Sequence, residues 1–422
     1  MAVLPDDERF VREALDLARQ GIGLASPNPC VGAVVVRDGN VIGRGSYTYD
    51  GVRHAEVLAL EQAGEAARGA TLYLNLEPCS HRGRTGPCAD AVIAAGVQRV
   101  VAAMRDPNPL VHGQGLDKLR AAGIEVVEGV CQAEARKLNE AFAKYIRQKT
   151  PLVTLKAGMT LDGKIAPPPG EAGPTATVAR DASMGWITSE EARAHLQELR
   201  HASDAILVGV GTIVADDPLL TDRSGRPRRR PLMRVILDSR LRLSLDSRVV
   251  KTANEDVLIL CSMAEEKRKQ ALEAHGVRVE QVEMVSAGRS HSNVRRMPSR
   301  RMPVRRRTGT GAPIKPDPSP GITPAGRPDM QKVLERLGEM EITSVLSEGG
   351  AMVNWAALAA GIVDKVFLYY APKILAGTGS VPFATGEGFR RLNEAAKVNC
   401  VTLHRFGEDF AVEGYLNDPY EE

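Results

Sequence analysis

The chain has no unbroken run of eighteen apolar residues, which excludes a single helix crossing a bilayer. Its start, MAVLPDDERFVREAL, lacks the basic opening, apolar centre and small-residue cleavage site of a secretion signal, so a cytoplasmic location is expected. Cysteine is scarce: six in 422 residues, scattered from Cys30 to Cys400. That argues against a disulfide framework and makes any close cysteine pair a metal candidate. A strong charge of one sign is also missing from most of the chain. The formal net charge is +3, but 286–330 alone holds ten Lys and Arg against two Asp, a net of +8, which leaves −5 elsewhere. The body of the protein therefore gives no sign of binding nucleic acid. No internal repeat is present.

What remains is an ordinary globular composition, 43% hydrophobic and 25% charged, at a length suited to two domains. Up to about residue 145 the patterns alternate: helix in DDERFVREALDLARQ, strand in VGAVVVRDG, helix in AEVLALEQAG, strand in TLYLNLEP, then helix-strand pairs in CADAVIAAGVQRVVAAM and GLDKLRAAGIEVVEG. A helix in EARKLNEAFAKYIRQK stops at Pro151 and the strand LVTLKAGMTLDG follows, which sets a boundary near 145–150 and predicts domains 1–147 and 148–422. The second half alternates again through AILVG, LMRVILDS, DVLILC, a helix in MAEEKRKQALEAHG, and late strands in SVLSEGG, KVFLYYAPKIL and VTLHRFGEDFAVEGYL. Both halves read as layered α/β, the second as a nucleotide-binding domain. The Arg-, Pro- and Gly-rich stretch 286–330 has no apolar period and is expected to be a disordered insertion.

The most specific pattern is His54-Ala55-Glu56 followed by Pro78-Cys79 and Cys88. A zinc site of the cytidine-deaminase type needs one imidazole, two thiolates, an open fourth position for water and a nearby carboxylate. His54, Cys79 and Cys88 supply the ligands for one zinc per chain. Glu56 would take a proton from zinc-bound water, whose pKa the metal lowers to about 7, and pass it to the ring nitrogen and departing amine. The usual spacing is PCxxC; here the eight residues SHRGRTGP intervene. A loop of that length would hang His81, Arg82 and Arg84 over the pocket, groups suited to a phosphate. The plainer alternative makes His54 a helix cap, Glu56 a solvated side chain and the cysteines core residues. Upstream, Asn28 in SPNPCVG can read donors and acceptors on a ring edge, although SPNP is also ordinary turn chemistry. Asp106 and Asn108 in DPNP are open to the same two readings, and Cys30 reads as a core thiol.

The motifs SPNPCVGAVVV, HAEVLAL, LEPCSHRGRTGPCADAVI and MRDPNPLVHGQGL resemble the deaminase half of the bifunctional deaminase/reductase family of riboflavin biosynthesis. LKAGMTLDGKIA, WITSEEARAHLQELR, SDAILVGVGTIVADDPLLTDR, RVILDSRLRL, LSEGGAMVNWAAL and YYAPKILAG look like its reductase half. The resemblance implies a cytidine-deaminase-like three-layer domain joined to a dihydrofolate-reductase-like domain that uses NADPH. The implied substrate is a small pyrimidine ribosyl phosphate, bound through Asn28 on the ring and His81 and Arg84 on the phosphate. It also implies chains paired through the reductase domain. Three features depart from the family pattern: Tyr47 where a histidine is common, Met184 where a serine is favoured, and a longer segment before Trp186.

By residue-level carry-over, Gly158, Trp186, Thr212, Asp216, Ser239 and Gly350 would line the cofactor site. Lys156, Arg200, Leu220, Arg223 and Glu348 would line the reductase substrate site. Physically, Lys156 and Asp162-Gly163-Lys164 are expected at a strand end, Gly209 and Gly211 permit close backbone approach, and Glu348-Gly349-Gly350 precedes a helix whose N-terminus can accept pyrophosphate. Arg200 and Arg223 have the plainer alternative of surface ion pairing. Ser239 and Arg240, at the end of a strand, could read the 2′-phosphate of NADPH or merely be turn residues. Two rivals stand beside this reading. A nucleic-acid editor would need the short inter-cysteine loop and a basic body; a deaminase with a catalytically impaired reductase-like domain would need the Met184 departure to matter.

Overall fold

The computed structural model describes residues 3–168, 185–285 and 326–421. Met184 and all of the Arg-rich stretch from 286 to 325 lie outside them. Residues 326–330 do not: Val285 N donates to Arg327 O at 3.0 Å, and Asp329 caps the helix that follows by accepting from the N–H groups of Gln331 and Lys332.

The first half runs α1 (Asp7–Arg19), β1 (Gly32–Arg37), β2 (Asn40–Ser46), α2 (Ala55–Ala63), β3 (Thr71–Leu74), α3 (Cys88–Ala95), β4 (Arg99–Ala102), α4 (Gln114–Ala121), β5 (Glu125–Glu128), α5 (Gln132–Leu138) and α6 (Glu140–Gln148). Its sheet has the order β2-β1-β3-β4-β5, antiparallel across β2, β1 and β3 and parallel from β3 to β5. Successive residues of each strand feed opposite cores. Val34 and Val36 meet Phe10 and Leu15 of α1, whereas Ala33 and Val35 meet Ala59 of α2, Val92 of α3 and Leu116 of α4. The result is three layers.

β2 is absent from the sequence reading. Asp38 and Gly39 both have positive φ, as a two-residue hairpin turn of type I′ requires. NVIGRGS carries little strand signal because its glycines serve contact: a Cβ on Gly45 would lie 2.0 Å from Ala55 O. Only bare backbone lets α2, with His54 at its start, lie so close to the sheet. The single helix expected over 134–149 is two, broken at Asn139. That side chain accepts from Cys30 N at 2.8 Å and donates to Cys30 O at 3.1 Å, so it serves the loop before β1 rather than one straight helix.

The second half runs β6 (Leu152–Thr160), β7 (Lys164–Ala166), α7 (Glu190–Ala202), β8 (Ala205–Gly209), α8 (Val210–Asp216), β9 (Met233–Leu237), α9 (Arg248–Lys251), β10 (Val257–Cys261), α10 (Glu266–Glu273), β11 (Val277–Gln281), α11 (Met330–Glu339), β12 (Ser344–Ser347), α12 (Ala351–Ala359), β13 (Lys365–Ala371), β14 (Val381–Pro382), β15 (Asn399–Phe406) and β16 (Asp409–Tyr415). The main sheet has the order β11-β10-β9-β8-β12-β6-β13-β16-β15. It is parallel from β11 to β13 and closes with an antiparallel β13-β16-β15 edge. α11 and α12 pack on one face, and α8, α9 and α10 on the other.

Two expectations are corrected. VTLHRFGEDFAVEGYL is a hairpin turning at Gly407, φ 62°, not one strand. Lys156 sits mid-strand in β6, because β6 extends to pair with both β12 and β13; Asp162 and Gly163 do follow its end. Gly209 ends β8, and Gly211 lies in the first turn of α8.

The two halves meet through buried charge. Lys144 and Glu140 of α6 pair with Asp364 and Lys365, the latter at 2.6 Å, and Lys365 also reaches Glu413 at 2.8 Å.

Candidate active sites

His54 stands at the N-cap of α2 but makes no capping bond, which removes its plainer role. Its ring instead faces the start of α3. Nδ1 lies 3.1 Å from Cys88 Sγ and 3.6 Å from Cys79 Sγ, and the three ligand atoms fall within 4.8 Å of one another. Nitrogen and sulfur on one tetrahedral zinc stand about 3.6 Å apart, so the donor set fits the ion. Between the thiols, the Cys88 hydrogen bond holds the Cys79 thiol well below the ordinary thiol range, with help from His54, and pushes Cys88 up. The Cys88 N–H adds a 3.3 Å bond to Cys79 Sγ.

Glu56, the second residue of α2, is 3% exposed, and among the described residues its Oε2 has no hydrogen-bond partner. Burial pushes its carboxyl up to about 7. A buried carboxyl oxygen without a partner beside three converging metal donors is ready to exchange a proton.

The Pro78-Cys79 turn is braced by Glu77, a residue the sequence reading did not single out. Its carboxylate accepts from Asp106 N, Gly113 N and Gly115 N at 2.8–3.0 Å and from Leu116 N at 3.3 Å, collecting the unpaired donors at the start of α4. Gly115 must be glycine, since a Cβ there would lie 1.9 Å from Pro78 O. Asp106 is 8% exposed, and burial lifts it to about 7. Its carboxylate accepts from Asn108 N at 2.8 Å, and Asn108 Oδ1 accepts from Leu110 N at 3.1 Å, so both residues shape the turn.

Asn28 Nδ2 donates to the Tyr47 hydroxyl at 2.7 Å, and the Tyr47 ring meets His54 edge-on at 5.5 Å. Tyr47, noted in the sequence only as a departure, thus links Asn28 to the metal cluster. In the inter-cysteine loop His81 and Arg82 are exposed. Arg84 is tied back, donating from Nη1 to Tyr49 O at 3.0 Å with its guanidinium 4.5 Å over the Tyr49 ring. A second guanidinium, Arg229 of the other half, lies 3.9 Å from the same ring.

In the second half Arg200 is not a surface residue. It is 8% exposed and holds Glu348 in a fork, Nε to Oε1 at 2.7 Å and Nη2 to Oε2 at 3.0 Å, while Nη1 donates to Thr221 O at 3.0 Å. Burial pushes the Glu348 carboxyl up, but Arg200, Lys156 and Arg223 together hold it below the ordinary range. Burial lowers Lys156 in turn. Four residues of the expected substrate set therefore sit within electrostatic reach of one another. Leu220 is set apart: it is 3% exposed, packs into the core and has φ 57°, so only its backbone is on offer.

The expected cofactor residues are looser. A Cβ on Gly350 would meet only Thr212 Oγ1, at 3.7 Å, and one on Gly211 would meet nothing within 4 Å, which leaves an open cradle between α8 and α12. Among the described residues, the buried Ser347 Oγ, at the end of β12, and Asn354 Oδ1, in α12, have no hydrogen-bond partner. Open backbone and unpartnered polar atoms are what a dinucleotide needs. A Cβ on Gly158 would lie 3.9 Å from Lys156 Nζ. Asp216 is exposed at the end of α8, and Ser239 lies two residues beyond β9, its carbonyl accepting from Met263 N at 3.0 Å. Trp186 is half exposed, with the Arg193 guanidinium 4.9 Å from its ring.

Among the described residues no helix is long and apolar enough to cross a membrane. The family model of the cytidine and deoxycytidylate deaminase zinc-binding region matches residues 4–104, and that of the RibD C-terminal domain matches 151–412. The riboflavin biosynthesis protein RibD of Actinobacillus pleuropneumoniae is 36% identical over 98% of this chain and 96% of its own; that of Aquifex aeolicus is 38% identical over 96% and 97%. The structure of Acinetobacter baumannii RibD superposes with a TM-score of 0.73 at 32% identity, covering 97% of this chain and 98% of the other. A Thermotoga maritima diaminohydroxyphosphoribosylaminopyrimidine deaminase/5-amino-6-(5-phosphoribosylamino)uracil reductase superposes at 0.72 and 33%, with the same coverage. These likenesses bear out the expected fold, a deaminase-like α/β unit followed by a reductase-like one. Matched in both halves and along nearly its whole length, the chain belongs to the RibD family of riboflavin biosynthesis proteins.

Proposed function

We propose that residues 1–147 deaminate 2,5-diamino-6-ribosylamino-4(3H)-pyrimidinone 5′-phosphate, and that residues 148–422 reduce the ribosyl group of the product to ribityl with NADPH. The observation that carries this reading is the convergence of His54, Cys79 and Cys88 beside the buried, unpartnered Oε2 of Glu56. Those three side chains would hold one zinc, which when bound supplies the Lewis acidity that makes water nucleophilic near neutral pH. Glu56 takes one proton as water adds to C2 of the ring, a guanidine-type carbon, and gives it to the ring nitrogen; it then carries the hydroxyl proton of the adduct to the leaving amine. Ammonia departs and a ring carbonyl remains. Asn28, held by Tyr47, reads the ring edge; His81 and Arg84 meet the phosphate; Asp106 and Asn108 shape the turn that borders the pocket.

In the reductase, NADPH supplies the hydride. Gly158, Trp186, Thr212, Asp216, Ser239 and Gly350 are assigned to its binding, supported by the open cradle at Gly211 and Gly350. Lys156, Arg200, Arg223 and Glu348, with the backbone at Leu220, form the polyol-phosphate site, where the Arg200–Glu348 pair fixes both side chains before substrate arrives. Six cysteines without a disulfide suit the cytoplasm. Pairing of chains through the reductase half rests on the family resemblance.

The test supplies the diamino-pyrimidine phosphate to the purified chain with and without NADPH, following ammonia and NADPH separately. Ammonia release without NADPH, and NADPH oxidation that requires the deaminated product, are expected. NADPH oxidation without prior ammonia release would overturn the order of steps.

A further inference from the structure

The loop that leads to Asn28 is held from the other half of the chain. Arg229 N donates to Gly23 O at 2.8 Å, Arg229 Nε donates to Ser26 O at 3.1 Å, and its guanidinium covers the Tyr49 ring at 3.9 Å. Ser26 Oγ donates to Asp204 Oδ2 at 2.7 Å, and Arg230 Nη2 donates to Ser26 Oγ at 3.4 Å. Asp204 is itself fixed, its Oδ2 accepting from Thr343 N and Oγ1, both at 2.8 Å. Tyr49 N donates to Leu24 O at 3.1 Å. Arg229, Tyr49 and Arg84 therefore form one unit that joins loop 23–28 to the inter-cysteine loop.

The Arg229 contacts fall on backbone and ring groups of the segments that hold Asn28 and Arg84. A shift of either group by an ångström would remove a ligand contact while leaving the zinc donors in place, because His54, Cys79 and Cys88 are braced separately by α2, α3 and Glu77. The segment that delivers Arg229 begins at the other site. Thr221 O accepts from Arg200 Nη1 at 3.0 Å, and Arg228 Nη1 donates to the carbonyls of Arg200 and His201 at 3.1 and 2.7 Å. Asp222 accepts from Arg228 at 3.2 Å and pairs with His201 Nδ1 at 2.9 Å. Nine residues, 221–229, thus run from the Arg200–Glu348 pair to the deaminase loop.

We propose that Arg229, backed by Asp204, is a positioning residue for deamination supplied by the reductase half, so that ring and phosphate recognition in the first half depends on the second. This rests on the functional reading above. It is tested in the full-length protein with Arg229→Ala and Arg229→Lys. In Arg229→Ala the KM for deamination is expected to rise about tenfold with kcat nearly unchanged, the signature of lost ground-state and transition-state binding together. Zinc content and the kinetics of reducing the deaminated substrate should stay as in the parent, and amide exchange should quicken at residues 23–28 but not at 55–63. Arg229→Lys, which keeps the charge and loses the planar fork, should recover part of the KM. An unchanged KM in Arg229→Ala, or equal losses in both activities with a lowered melting temperature, would overturn the proposal. Unaltered exchange at 23–28 would overturn it whether or not ammonia is released, whereas a parent chain that releases no ammonia would overturn the functional reading itself.

Discussion

Around His54 the chemistry is gathered by short-range convergence: the outermost zinc donors stand 34 residues apart in sequence and the donor atoms lie within 4.8 Å of one another. Around Glu348 it is gathered by topology. Arg200 and Glu348 stand 148 residues apart and meet because β8 and β12 are neighbours in a parallel sheet, with α7 leading into β8. The first arrangement depends on side chains that must touch one point, the second on bare backbone at strand ends and one buried ion pair. The first should fail abruptly when a single donor is lost. The second should degrade by degrees, except at its pair.

The sharpest break is expected from Cys88→Ala. One of three protein ligands disappears, so zinc per chain measured by elemental analysis should fall from one toward none, and ammonia release should cease while NADPH oxidation on deaminated substrate continues. Full zinc occupancy would remove the convergence on which the comparison stands. Next in size is Glu348→Ala, which leaves the buried Arg200 and the half-buried Lys156 without their carboxylate. Removing one partner of a buried pair costs about 3–5 kcal/mol, so denaturant unfolding should show a loss of that order and reduction should stop, with zinc retained. A loss below about 1 kcal/mol would mark the pair as a solvated one. Replacing Ser239 and Arg240 together by alanine should raise the KM for NADPH about tenfold, equivalent to ~1.4 kcal/mol, and barely alter that for NADH. Equal effects on both cofactors would assign these residues to the strand end in general. The smallest effect is expected from deleting 286–325 and bridging with a short Gly/Ser linker, since Val285 and Arg327 are already hydrogen-bonded neighbours. Both activities should persist. Extending the deletion to 330 should destabilise α11 by removing the Asp329 cap, at about 1 kcal/mol.

The metal cluster was legible because HAE, PC and the second cysteine each open a helix or close a turn in a fixed order, and few structural roles demand that combination. The strands of both sheets were legible wherever burial on both faces made them continuous Val, Ile and Leu runs, as in VGAVVV and DVLILC. β2 was hidden because Gly43 and Gly45 serve close packing, not strand propensity. The break at Asn139 was hidden because its cause, the amide of Cys30, lies 109 residues away. Glu77 and Arg229 were missed for the same reason: each acts on backbone groups, and no side-chain pattern records that. Their only local signals are the acid directly before Pro-Cys and the run Arg228-Arg229-Arg230 between two prolines. Tyr47 reads as a loss beside the family pattern, yet in place it gains a hydroxyl contact to Asn28.

The central proposal is that Glu56 carries protons and neither holds the metal nor serves the second site. Glu56→Gln in the full-length chain tests this directly when zinc content, ammonia release and NADPH oxidation on deaminated substrate are measured on one preparation. One zinc per chain, no ammonia and unchanged NADPH oxidation are predicted. Retained ammonia release, or loss of zinc together with the deamination, would contradict it.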